Sequence, residues 1–301
     1  MNTPIKKTVS WLGLSALMMI FWIVGLFIGN ALFPSNLMDT PTDSNANSEL
    51  ILFIICALNT AVILVYIHNS SLKGLKLAGS IFLISFSIQY AMSQIETLWF
   101  NDSLKMPVNL IWAVVTGGAI SHLLFAFAAT WISGNLKTQQ TYNQQIERSE
   151  FSLLFQRIAI LAVVVWPIVY FMAGYLIAWQ FSEVRNYYSG TTEMESFLSI
   201  MKGNFLSGLY FFQILRGVLW VLIALLVLGT TKGSSLQKGI ILGLLLSILG
   251  CSQLLLPNPI MPDMVRIPHL IETSTSSFLW GIILSWSLTK YYSTHQKVAF
   301  I

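Results

Sequence analysis

The sequence predicts an all-α fold: a polytopic integral membrane helix bundle of about eight transmembrane helices. Composition is the first observation behind this prediction. Hydrophobic residues make up 55% of the chain and charged residues 9%, and the mean hydropathy is +0.71. Because a soluble domain carries about 25% charged residues, a chain this poor in charge must face lipid over much of its surface. The other two observations are the lengths of the apolar runs and the distribution of charge between them.

Each predicted span is an apolar run close to the length that crosses a bilayer, which is about 20 residues. The first run ends near Gly29-Asn30-Ala31, which resembles a signal-peptide cleavage site. However, this run is longer than the apolar region of a signal peptide, which favours an uncleaved first span. The eight predicted spans cover approximately residues 9–31, 50–68, 77–99, 108–132, 155–180, 205–229, 238–256 and 264–289.

Basic residues alternate between the two sides of the predicted bundle. With the N-terminus inside, eleven of the sixteen Lys and Arg residues lie in inner segments and four in outer segments, while Arg216 alone lies within a span. Of the twelve acidic residues, only Glu147 and Glu150 lie inside. This asymmetry follows the positive-inside rule through all eight spans. We therefore expect both termini to be cytoplasmic and the protein to reside in the plasma (inner) membrane.

The chain has no hydrophilic block long enough for a soluble domain, so residues 1–301 are predicted to form a single transmembrane domain. Four spans lie in residues 1–132, a cytoplasmic connecting loop covers 133–154, and four spans lie in 155–301. Short similarities between spans one and five, and between spans two and six, suggest a parallel 4+4 repeat. Apolar helices also resemble one another by chance, and both interpretations stay open.

The outer loop before span six carries a further predicted element. Residues Met194 to Lys202 have the composition of a short helix lying in the membrane interface. The glycines Gly117, Gly118 and Gly243 lie within spans, where small residues allow neighbouring helices to pack closely. We expect these glycines to be packing positions rather than hinges.

Arg216 is the most informative single residue because arginine stays charged and is costly within a bilayer. It should face the bundle interior and pair with Glu96 or Glu272. Two interpretations follow, namely a structural ion pair between helices and a site for an anionic solute or a gate. Gln213 lies one turn before Arg216 on the same face.

The other polar residues within spans form stripes at helical spacing. Span eight begins with Arg266, His269 and Glu272, followed by Ser276. This stripe is read either as a solvated interfacial turn with an Arg–Glu contact or as part of a site. In span three, Gln89 and Glu96 share one face with two serines. The predicted solute- or ion-binding residues are Arg216, Glu96, Glu272, His269, His122, Gln89 and Gln213.

His122 follows Ser121 in span four, which invites comparison with a nucleophile and its base. Adjacent residues on a helix point about 100° apart, so the two are not expected to form a dyad by themselves. His122 is read either as a packed, hydrogen-bonded histidine or as part of a proton relay. No catalytic residue is assigned.

No metal site or cofactor is predicted. His269 and Glu272 have the i, i+3 spacing of paired metal ligands, but no HExxH motif or cysteine pair supports a site. Cys56 and Cys251 both lie in apolar segments. The sequence also lacks a P-loop, a TVGYG filter and a GxSxG elbow. Its scattered basic residues give no nucleic-acid signal.

Three functions remain compatible with these features. The first is a transporter or permease-like protein for a small or anionic solute, with an outward-opening polar cavity. The second is a membrane-embedded enzyme in which His269 and Glu272 act on a lipid-linked substrate, and the third is a non-catalytic accessory subunit. We favour transport, and the expected partners are the lipid bilayer and the solute.

Overall fold

A computed structural model of the chain is almost entirely helical. It describes residues 4–35, 47–136, 148–258 and 261–296, and over these ranges no β-strand is present. Residues 137–147 of the predicted connecting loop lie outside this description, as do the chain ends beyond residues 4 and 296. The predicted all-α class is confirmed for the residues described.

Over the described ranges, eight long helices follow one another along the chain. Three of them contain a π-helical turn: Ser87–Ala91 in the third, Leu161–Val165 in the fifth and Leu245–Leu249 at the end of the seventh. The eight helices are α1 (Pro4–Leu32), α2 (Ser48–Asn69), α3 (Gly74–Trp99), α4 (Val108–Ile132), α5 (Leu153–Gln180), α6 (Leu209–Thr230), α7 (Ser235–Leu249) and α8 (Asp263–Gln296).

Six of these helices, α1 to α6, are long and apolar enough to cross a membrane, as expected of a multi-pass membrane protein. α7 is apolar but shorter, at Ser235–Leu249. α8 has 34 residues and is therefore long enough to cross a membrane. It is not among the six because polar residues, including the stripe that starts at Arg266, lower its hydropathy. The count of eight spans, the 4+4 repeat and the cytoplasmic termini stay predictions.

Two predicted span boundaries need correction. Span six was predicted from residue 205, but α6 starts at Leu209, because Gly208 has a φ of 82° and ends the preceding helix. Span seven was predicted to reach residue 256, but α7 gives way to a short 3₁₀ helix, Ser252–Leu255. The remaining short helices of the described residues are Asn101–Leu104, Ser182–Ser189 and Phe197–Leu206.

The predicted short helix in the long outer loop is present, shifted by a few residues. It covers Phe197–Leu206, and the Ser196 hydroxyl caps its first turn by accepting a hydrogen bond from the Ser199 N–H. Leu198 and Leu206 are strongly exposed on this helix. Exposed apolar side chains on a short helix are consistent with contact with the membrane interface.

The chain forms two compact units. The first consists of Met1–Gln139 and Ile248–Leu270, and the second of Gln140–Ser247 and Ile271–Ile301. The chain passes between the units at three points: after Gln139, within the π-helical turn of α7 and within α8. The predicted single domain, with its division at 133–154, stays a prediction.

In the first unit, α1 and α4 pack through glycines. A methyl group on Gly117 would lie 2.6 Å from the Gly25 carbonyl oxygen, and Gly118 packs against the Tyr90 ring. Only a residue without a side chain fits such a contact, so these backbones can approach closely. The prediction that Gly117 and Gly118 are packing positions is confirmed.

In the second unit, α7 and α8 run antiparallel along a line of small residues. Ser235 is hydrogen-bonded to Thr289 and accepts at its carbonyl from the Ser285 hydroxyl at 2.7 Å. Further along, a side chain on Gly243 would meet the Phe278 carbonyl oxygen at 2.9 Å. This contact confirms Gly243 as a packing position, and it fixes the register of α8 against α7.

Candidate functional site

The arginine cluster of the second unit is built on one face of α6. Gln213, Arg216 and Trp220 follow at spacings of three and four, so their side chains share that face. All three are buried, with Gln213 0%, Arg216 5% and Trp220 6% exposed. The predicted inward orientation of the Arg216 guanidinium is confirmed. We define the arginine cluster as Trp166, Tyr170, Gln213, Arg216, Trp220 and Trp280.

A glycine lets α5 approach this face of α6. A methyl group on Gly217 would lie 2.8 Å from the Ala162 carbonyl oxygen and 3.1 Å from the Trp166 ring. The contact therefore depends on the absence of a side chain at Gly217. It places Trp166 directly against Gln213 and Arg216.

The irregular backbone of α5 also positions Trp166. Pro167 has no N–H, so the Val163 carbonyl lacks its usual helical donor. The Tyr210 hydroxyl supplies the missing bond by donating to that carbonyl at 2.9 Å. The π-helical turn Leu161–Val165 lies immediately before Trp166. Such turns are rare and frequently occur at functional sites.

The Gln213 amide organises the cluster. Its Oε1 accepts from the Trp166 Nε1–H at 3.1 Å and from Arg216 Nη1 at 3.3 Å. Two donors on one oxygen fix the orientation of the amide. The Arg216 guanidinium lies 5.8–5.9 Å from three aromatic ring centres, which is cation–π distance. These rings belong to Trp166, Tyr170 and Phe212.

Three buried N–H donors on neutral side chains of the cluster have no hydrogen-bond acceptor among the described residues. They are Gln213 Nε2, Trp220 Nε1 and Trp280 Nε1. The Trp220 and Trp280 rings both contact the Trp166 ring, with centroids 6.2 Å and 5.4 Å apart. Buried donors without acceptors are rare and costly. The cluster therefore combines a positive charge with surplus donors, which is the environment of an anion or another acceptor-rich group.

The stripe of α8 leads into this cluster. Glu272, Ser276 and Trp280 follow at spacings of four, and all are buried, with Glu272 4% exposed. Four residues join α6 to α7, and the Lys238 amino group donates to the Leu228 carbonyl across the turn. Helices joined so tightly run antiparallel, and since α7 is also antiparallel to α8, α6 and α8 run in the same direction.

The histidine cluster of the first unit is a continuous line of hydrogen bonds between side chains. We define it as Asn59, Gln89, Ser121, His122 and Ser252. Gln89 Oε1 accepts from Asn59 Nδ2 at 3.2 Å and from His122 Nε2 at 3.1 Å. The Ser252 hydroxyl donates to Asn59 Oδ1 at 2.8 Å. All five side chains are buried.

Ser121 and His122 are closer than helix geometry suggests. Ser121 Oγ lies 3.3 Å from His122 Nδ1, although Ser121 also donates to the Gly118 carbonyl at 3.1 Å. The two side chains are therefore in contact, while the expectation that they form no nucleophile–base dyad by themselves stays a prediction. Because His122 Nε2 donates to Gln89, the neutral ring accepts at Nδ1, which suits a bond from the Ser121 hydroxyl.

The π-helical turn of α3 accommodates the histidine cluster. Gln89 lies within Ser87–Ala91, and its carbonyl accepts from the Ser93 hydroxyl at 2.8 Å and from Gln253 Nε2 at 3.4 Å. Side-chain donors thus compensate for the irregular helix, as buried membrane backbone requires. Among the described residues, no buried side-chain donor or acceptor of the histidine cluster lacks a hydrogen-bond partner, in contrast to the arginine cluster.

The start of the α8 stripe has a local partner. Arg266 is buried and pairs with Asp263 at 2.7 Å, and it also donates to the Leu254 carbonyl. The expected Arg–Glu contact at this turn is therefore replaced by an Arg–Asp contact within the same helical turn. His269 and Glu96 are half-buried. Both belong to the first unit, whereas Glu272 belongs to the second.

Comparison with known proteins finds no match. No family model, no curated protein and no solved structure is significantly similar to the chain. Within the part of the chain that the structure describes, no group of three or more His, Cys, Asp or Glu side chains is arranged to hold a metal ion.

The structure brings the predicted residues together in two pairs. Gln89 contacts His122 in the first unit, and Gln213 contacts Arg216 in the second. The predicted convergence of all seven residues on one cavity stays a prediction. The aromatic side chains around Arg216 were not predicted. For Trp220 a signal exists in the sequence, because it lies four residues after Arg216 on the same helical face.

Proposed function

We propose that this multi-pass membrane protein is a transporter for a small organic monoanion, which binds at the arginine cluster through an outward-opening cavity. The surplus of buried donors around Arg216 carries this proposal. Gln213 Nε2, Trp220 Nε1 and Trp280 Nε1 have no acceptor among the described residues. An anionic solute supplies acceptors for these groups.

The charge count favours a monoanion. Arg216 is the single Lys or Arg that lies more than three residues from either end of a predicted span. A guanidinium binds a carboxylate through two parallel hydrogen bonds, and such charge-assisted pairs are about twice as strong as neutral hydrogen bonds. A second negative charge on the solute would have no matching cation at this depth.

The aromatic residues of the cluster favour an organic solute over an inorganic ion. Trp166, Tyr170 and Trp280 present apolar ring surface close to the guanidinium. Binding sites for small molecules combine such walls with a few fixed polar groups. A small carboxylate with an apolar body meets both requirements.

Uptake into proteoliposomes tests the proposal. The probes are radiolabelled lactate, as a monocarboxylate, and radiolabelled phosphate and sulfate, as inorganic anions. We expect the wild type to take up lactate. Loss of a charged hydrogen bond costs about 1.5–3 kcal/mol, so Arg216→Met should reduce uptake by about 10–100-fold.

Two controls make the test specific. Lys202→Met removes an exposed basic residue from the outer loop and should leave uptake unchanged. Fluorescence-detected size-exclusion chromatography checks that each variant is folded. Wild-type uptake by a folded Arg216→Met variant would contradict the proposal. Uptake of phosphate or sulfate without lactate would contradict the assigned solute class.

A further inference from the structure

We propose that Glu272 carries a proton that enters together with the anion, so that transport is an electroneutral proton–anion symport. This inference rests on the proposed function of the arginine cluster. Of the predicted site residues, Glu272 is assigned as the proton carrier, and the proton is assigned as the coupling ion. Three features of the second unit support this inference, namely its composition, the register of its helices and its charge balance.

Glu272 is the one carboxylate in the second unit that lies within a long apolar helix segment. The sequences of α5, α6 and α7 contain no Asp or Glu, and α8 contains none after Glu272. Glu272 is 4% exposed. An ionisable residue buried in a membrane protein faces the bundle interior and is a functional candidate by default.

The helix register places Glu272 close to the depth of Arg216. Trp220 and Trp280 both contact the Trp166 ring, on helices that run in the same direction. Arg216 precedes Trp220 by four residues, about 6 Å along α6 at 1.5 Å per residue. Glu272 precedes Trp280 by eight residues, about 12 Å along α8. The two Cα atoms thus differ in depth by about one helical turn.

Charge balance then links the anion to a proton. With Arg216 positive and Glu272 negative, the interior of the second unit carries no net charge. A bound monoanion would add one uncompensated negative charge to a poorly hydrated interior, which is costly. Arginine stays charged, so the compensating proton must go to the carboxylate. One carboxylate and one proton bind on one side, and both leave on the other.

The other candidate proton carriers are less suitable. His122 takes part in a closed set of hydrogen bonds to neutral side chains, and Glu96 is half-buried. Both belong to the first unit, as does His269. The titratable or charged groups on the helices of the second unit, apart from Glu272, are Arg157, Tyr170 and Tyr175 on α5, Tyr210 and Arg216 on α6, Lys238 on α7 and the basic and tyrosine residues at the end of α8.

The experiment measures proton entry with lactate in proteoliposomes that contain the pH-sensitive dye pyranine. In the wild type we expect one proton to enter per lactate, an inward proton gradient to accelerate uptake, and membrane potential to have no effect. In Glu272→Gln, exchange of labelled for unlabelled lactate should persist, while acceleration by the proton gradient should be lost. Glu193→Gln, which removes an exposed carboxylate from the outer loop, should behave as the wild type.

The outcomes separate this inference from the proposed function. Lactate uptake by the wild type without proton entry would overturn the inference and leave the proposed function intact. Acceleration of Glu272→Gln by the gradient to the wild-type extent would also overturn it. A wild type that takes up no anion would overturn the proposed function itself. If Glu272→Gln does not fold, the proton-to-lactate ratio of the wild type still decides whether protons enter together with lactate.

Discussion

Gly117 of α4 lies against Gly25 of α1 so closely that a methyl group on Gly117 would be 2.6 Å from the Gly25 carbonyl oxygen. The obstructing atom belongs to the backbone, which cannot rotate away as a side chain can. In a bilayer, helix association depends on such close packing, because lipid chains are as apolar as the helix surfaces. This pair is therefore a main stabilising contact between α1 and α4.

Replacement of Gly117 by alanine should destabilise the protein. Overpacking of a close contact costs about 1–3 kcal/mol, and we expect a value at the upper end because the backbones must separate. Thermal or SDS-induced unfolding of the purified protein measures the effect. Gly79→Ala in α3 is the matched control, since a methyl group there meets nothing within 4 Å. It should raise stability by about 0.5–1 kcal/mol, and equal losses in both variants would contradict the packing account.

Replacement of Gln213 by glutamate should abolish anion uptake while preserving the fold. The carboxylate is nearly isosteric with the amide, but it replaces the surplus Nε2 donor by an acceptor next to Arg216. The new carboxylate would then compete with the solute for the guanidinium. Lactate uptake and the unfolding temperature are the two measurements. Wild-type uptake in this variant would argue against an anion site beside Gln213.

Replacement of Gln89 by leucine should lower stability without altering lactate affinity. Gln89 Oε1 is the acceptor for Asn59 and His122, and each orphaned buried donor costs about 1–3 kcal/mol. The buried polar side chains of the histidine cluster already have hydrogen-bond partners, and the cluster belongs to the first unit. We therefore expect the KM for lactate to stay unchanged. Unfolding and uptake kinetics test both parts.

Gln94→Leu is the control for this substitution. Gln94 lies on the same helix, and its Oε1 has no hydrogen-bond partner among the described residues. Its replacement should therefore cost little stability. A large increase in KM for Gln89→Leu, with stability retained, would assign the histidine cluster to the solute pathway instead.

The sequence predicted the helices and the buried charge because both depend on local chemistry. Runs of about 20 apolar residues fix where spanning helices form, and the cost of a charge in lipid requires Arg216 to turn inward. The later start of span six, after Gly208, was missed because the apolar run continues through this glycine. Hydropathy does not detect such a backbone conformation.

The aromatic surroundings of Arg216 could not be predicted in the same way. Trp166 reaches Gln213 because Gly217 allows α5 to approach and because the backbone before Pro167 is irregular. These are tertiary effects that act between helices. Trp280 was also not predicted as a site residue, although it continues the stripe of Glu272 at helical spacing. Apolar aromatic residues are so common in spans that spacing alone does not mark them as site residues.

Equilibrium binding of radiolabelled lactate to the purified protein in nanodiscs tests the central claim most directly, because it separates binding from transport. The arginine cluster predicts saturable binding of one lactate per chain, weakened by about 10–100-fold in Arg216→Met and only partly retained in Arg216→Lys, which keeps the charge but loses the paired hydrogen bonds. Lactate binding of wild-type affinity to a folded Arg216→Met protein would contradict the account.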